Sequence, residues 1–190
     1  SLRLIQRRFL AVDMWEYLRA RYDAEPLVAD VTFLDFYGGG LVKENPFANE
    51  IQGLRAYFAK HARYQNRAFV FAWTYNPRDR GKARYVDALA KQKLSADDIA
   101  LLQGSSGVTA RSIALRLLLR QILSEHEFRA KIYHHAVYKG VMNTLIVIFA
   151  KGVDSACGIT LGEPDALLAA PYYTYRPGAA VPEIGSLLPE

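Results

Sequence analysis

Residues 128–137 read FRAKIYHHAV, residues 138–141 read YKGV, and residues 142–150 read MNTLIVIFA. The first stretch mixes polar and apolar residues, as a strand at the side of a sheet does. The third is nearly all apolar, as a strand covered on both faces is. The connection between them is short and holds Gly140, which is how hairpin loops are built. This reading places an antiparallel β-hairpin at the end of the patterned part of the chain.

Upstream of the hairpin, residues 109–124 predict a strongly apolar helix with Arg111, Arg116 and Arg120 on its solvent side. Ser95, Ala96, Asp97 and Asp98 have the order of a capping box opening a short helix. Residues 79–92 predict a more polar helix with Tyr85, Val86 and Leu89 inward. RAFVFAWTY, residues 67–75, predicts a buried strand that stops before Pro77. In residues 46–64, Phe47, Ile51, Leu54, Phe58 and Ala62 form one apolar stripe at helical spacing, and Pro46 suits a first turn. DVTFLDF, residues 30–36, predicts another buried strand, ended by Tyr37, Gly38, Gly39 and Gly40. Nearer the N-terminus, residues 9–12 predict a strand and residues 14–22 a short helix with Trp15 and Leu18 on one face. Beyond Lys151 the chain turns rich in Gly, Pro and Ala. That shift divides it into an α/β domain over residues 1–151 and a C-terminal arm over 152–190. Alternating strands and helices predict an α/β fold: a mostly parallel sheet with helices on both faces, closed by the antiparallel hairpin. In such sheets ligands bind at the carboxyl ends of the strands, which draws attention to the loops after residues 12, 36 and 75.

Composition narrows the classes. The chain has 190 residues, 51% of them hydrophobic and 23% charged, enough for one compact domain with a real core. The net charge of +5 fits an anionic partner such as nucleic acid, although the basic residues are spread out and form no tract. A single cysteine, Cys157, excludes a disulfide within one chain and points to a reducing, cytoplasmic setting. The longest apolar run, residues 145–150, is too short to span a bilayer, and the N-terminus lacks the apolar region of a signal peptide. A start without Met fits a piece of a longer protein.

The sharpest chemical feature is Leu34, Asp35, Phe36, Tyr37, Gly38 and Gly39. A strand-end carboxylate can accept hydrogen bonds from an amine, an adjacent aromatic ring can stack on a base or a cationic methyl donor, and glycines admit a ligand to the backbone. The bland reading is a tight strand-to-loop turn. Asp13, Met14 and Trp15 could hold an adenine through its exocyclic amine and ring, or Asp13 could serve only as a helix N-cap. Asn76, Arg78 and Arg80 follow the next strand; the two arginines suit phosphate, and a solvated loop explains them equally well. His134 and His135 are adjacent on a strand and so face opposite sides, while His61 and His126 have no ligand-like spacing with them. No metal site is therefore expected. Cys157 has no base near it in sequence. The glycines at 38–40 lack the Lys and Ser or Thr of a phosphate-binding loop, which disfavours nucleotide hydrolysis.

Together these segments resemble the class I, Rossmann-like, S-adenosylmethionine-dependent methyltransferases. Residues 9–15 (FLAVDMW) look like the family's strand that ends in an acidic adenine contact. Asp35, Phe36, Tyr37 and Gly38 are similar to variants of the motif bordering the transferred methyl in enzymes that methylate amines of nucleic-acid bases, with Phe36 where the family has Pro. The closing hairpin, whose last strand inserts antiparallel, is the family's distinguishing feature. The resemblance implies S-adenosylmethionine as cofactor, Asp13, Met14, Trp15, Asp35 and Gly38 as its contacts, and Asp35, Phe36 and Tyr37 as catalytic residues. It implies Asn76, Arg78 and Arg80 as substrate contacts, with DNA or RNA as substrate. It covers residues 9–151 and corresponds to the C-terminal part of the fold. The family's glycine-rich first motif has no counterpart upstream of residue 9, so a second chain or a further N-terminal segment would have to complete the sheet. The competing readings are a methyltransferase-like binding or assembly module without activity, cued by the tyrosines at 172, 173 and 175 beside Arg176, and a nuclease or other phosphoryl-transfer enzyme. The last has Asp13 and Asp35 as its only strand-end carboxylates.

Overall fold

The computed structural model describes residues 30–36, 46–75, 82–92, 94–105, 107–138, 142–170 and 173–175. The predicted strand at 9–12 and helix at 14–22 lie outside them. The described elements run β1 (Val31–Phe36), α1 (Pro46–His61), β2 (Ala68–Tyr75), α2 (Lys82–Ala90), α3 (Ala96–Gly104), α4 (Gly107–Glu125), β3 (Arg129–Tyr138), β4 (Met142–Ala150), β5 (Ser155–Ala156), β6 (Ile159–Thr160), α5 (Ala166–Ala169) and β7 (Tyr173–Tyr175).

β1, α1 and β2 form a parallel crossover unit, because a parallel pair needs a long connection and a helix supplies it. β3 and β4 form the expected hairpin. β4 also pairs antiparallel with β2, so it lies between β2 and β3, and the sheet order is β1-β2-β4-β3-β7. Two of its four pairings are parallel (β1 with β2, β3 with β7) and two antiparallel. The described sheet is therefore mixed, where the alternation of elements predicted a mostly parallel one.

Strand alternation divides the sheet into two faces. Phe69, Phe71 and Trp73 of β2 and Leu145, Val147 and Phe149 of β4 point to one side and are buried there. Ile51, Leu54, Tyr57 and Phe58 of α1, Tyr85 and Leu89 of α2, Leu102 of α3, the leucines of α4 and Leu167 of α5 join them in one core. Each such side chain contributes about 1.5–3 kcal/mol by leaving water. The rings of Tyr57, Phe58, Phe71 and Phe149 meet edge-on or tilted, with centroids 4.9 Å apart for Phe58–Phe149 and 5.4 Å for Tyr57–Phe71. All five described helices thus serve one face, where the sequence pattern predicted helices on both. The opposite face has a smaller cluster in which Ile148 and Ala150 of β4 are covered by Ala156 and Leu161 from the chain around the β5–β6 hairpin.

That hairpin belongs to the segment predicted to be an arm. Residues 155–170 instead fold back onto the sheet: Gly162 exchanges backbone hydrogen bonds with Ala130, and β7 pairs with residues 136–138 of β3. Low periodicity hid this because the segment packs through short pieces of two to four residues. β1 differs from its prediction too. Val31 is 64% and Phe33 61% exposed, on the face away from the helices, since β1 has one neighbour, β2, among the described strands.

Candidate functional site

The rim formed by the carboxyl ends of β1 and β2 is the candidate site. Register rows cross the whole sheet there. Asp35 lies opposite Thr74, Thr74 opposite Thr144, and Thr144 opposite Ala136; one row further, Phe36 lies opposite Tyr75 and Tyr75 opposite Asn143. Asp35 and Phe36 therefore end the edge strand of the described sheet, beside the last two residues of its interior neighbour. Ala136 in turn lies opposite Tyr173 of β7, which leaves the tyrosines of the C-terminal segment at the far edge. Four strand spacings of about 4.8 Å each separate the two positions. Asp13, Met14, Trp15, Tyr37, Gly38, Asn76, Arg78 and Arg80 lie outside the described residues.

Behind this rim, on the helix side, sits a group of buried polar residues that the sequence reading misjudged. The row Trp73–Leu145–His135 carries a fully buried imidazole, at 0% exposure. Arg116 of α4 donates from Nε to His135 Nδ1 at 2.8 Å and from Nη1 to the carbonyls of Ala170 at 2.7 Å and Leu167 at 3.3 Å. Since Nδ1 accepts, the ring proton of the neutral imidazole is on Nε2. Burial first, then the Arg116 guanidinium and His134, push the His135 imidazole down to about 3. Arg111 and Arg116 are each 6% exposed, not on a wet face. The apolar stem of arginine packs in the core while its planar head finds acceptors there.

α4 runs from the strand-end rim back toward the start of β3. Its residue 116 is level with His135, while Glu125 at its other end pairs with Arg55 of α1. Five residues of helix rise put Arg111 about 7.5 Å further toward the rim than Arg116. Arg111 and Ser112, toward the N-terminal end of α4, are both buried as well. Arg120 is paired instead with Asp98, whose carboxylate also completes the capping box with Ser95. Burial opposes ionisation of Asp98, but the bonds from Ser95 and Arg120 and the Arg120 charge outweigh it and hold the carboxyl below its ordinary value.

The histidines divide by face as alternation requires. His134 lies opposite Ile146 and His135 opposite Leu145, just past an irregularity at Tyr133 that shifts the register of β3. His61 is a core residue: its Nδ1 lies 2.8 Å from the Tyr57 carbonyl, and its ring meets Phe69 edge-on at 4.5 Å. Among the described residues, no three of His, Cys, Asp and Glu gather where they could hold a metal ion. Cys157 is exposed at the tip of the β5–β6 hairpin, and no described helix is long and apolar enough to cross a membrane. Sequence reasoning missed Arg111, Ser112, Arg116 and His135 as buried polar residues of the helix side; Thr74, also buried, alternates to the opposite face. The signal for Arg111 and Arg116 was arginine recurring through a helix rich in leucine, isoleucine and alanine. No family model matches the chain, and no curated protein or solved structure matches it.

Proposed function

We propose that the chain is the C-terminal part of a Rossmann-like, S-adenosylmethionine-dependent methyltransferase fold that acts on a nucleic-acid base. The observation that carries the reading is the position of β4: the last strand of the hairpin enters antiparallel between β2 and β3, which are parallel to each other by virtue of both opposing it. A chain that simply added strands in order would have placed β3 next to β2. Asp35 at the end of β1 adds support, because the carboxyl ends of strands are where such sheets take ligands.

The described residues fit the substrate side of such a site better than the cofactor side. A strand-end Asp35, in register with Thr74 of β2, would offer an acceptor for a polar base. A glycine-rich turn after a preceding strand, which would grip the amino-acid end of the cofactor, is not among the described residues. When bound, S-adenosylmethionine would supply the methyl group. Asp13, Met14 and Trp15 would hold its adenine, with Asp35 and Gly38 also in contact. Asp35 would accept hydrogen bonds from the target amine, Phe36 and Tyr37 would stack on the base, and Asn76, Arg78 and Arg80 would hold the neighbouring phosphates. Rate would come mainly from alignment.

The second reading, a binding or assembly module without activity, is favoured by the pairing of β1 with one neighbour among the described strands and by the exposure of its Val31 and Phe33. There a second chain or an N-terminal segment would complete the sheet. Calorimetry with S-adenosylhomocysteine, run beside sizing chromatography, separates the two. Saturable heat that Asp35→Ala abolishes supports the methyltransferase. No heat together with a stable oligomer supports the module.

A further inference from the structure

We draw no further inference here: the strongest candidate, the exposed apolar patch of Val31 and Phe33 on the face of β1 turned away from the helices, carries nothing because nothing among the described residues shows what covers it.

Discussion

Arg116 brings a permanent positive charge to a position that is almost dry, and its described partners are an imidazole and two carbonyls. Such a group is satisfied only while every acceptor stays in place. Arg116→Met would leave the Ala170 and Leu167 carbonyls and His135 Nδ1 without this donor, at a cost of about 2–3 kcal/mol. The loss would appear as a lower urea midpoint at unchanged slope. His135 sets a pH dependence of definite sign. Its folded value is about 3, against about 6.5 in the unfolded chain. Between these values the unfolded chain binds a proton that the folded chain does not, so stability rises with pH through this window and is fully present above it. From pH 6.5 down to 5 the loss from this residue amounts to about 2 kcal/mol. In His135→Asn, whose amide oxygen can still accept from Arg116, the drop in unfolding free energy between pH 7 and 5 should shrink by that amount. An unchanged drop would show that another group is responsible. Burial lowers His134 and His126 too, so they add to the same trend.

Among elements, α3 depends most visibly on its first turn. Ser95 caps the helix through Asp98 N–H, and Asp98 returns a bond to Ser95 N–H while holding Arg120 of α4. Ser95→Ala should cost about 1 kcal/mol by thermal or urea unfolding. The connection leaving β4 relies on Gly152, whose φ of +80° belongs to the left-handed region. A Cβ there would also lie 2.8 Å from Gln65 Oε1 and 2.9 Å from Asn66 Oδ1, both ends of side chains able to swing away. The backbone conformation therefore decides the outcome, and Gly152→Ala should destabilise by about 1–2 kcal/mol.

Elements with a strong local pattern could be read before the structure: the stripe of α1, the nearly unbroken apolar run of β4 and the capping box of α3 each depend on neighbours a few residues away. The wet-side assignment of Arg116 failed because its burial depends on His135 and on the carbonyls at 167 and 170, partners 19, 51 and 54 residues away. β5, β6, α5 and β7 escaped for a related reason. Pieces this short have no period and are held by contacts with the sheet. At the rim, the placement of Asp35 at the end of a strand was legible from the glycines that follow it. The burial of Arg111 and Arg116 on the helix side was not, since nothing local distinguishes a core arginine from a surface one.

At the scale of the whole molecule, the fold is a mixed sheet with one thick helical layer and one thin covering hairpin. Its strand order puts the two parallel strands β1 and β2 at one side, and Asp35 and Thr74 share a row at their carboxyl ends. The proposed function depends on ligand chemistry at that rim. The most direct test is a two-dimensional amide NMR titration of the chain with S-adenosylhomocysteine. The account predicts saturable shifts confined to the amides of residues 13–15 and 35–38, with those of β5 and β6 unmoved. A spectrum unchanged at millimolar ligand, or shifts lying wholly at the β7 edge, would contradict it.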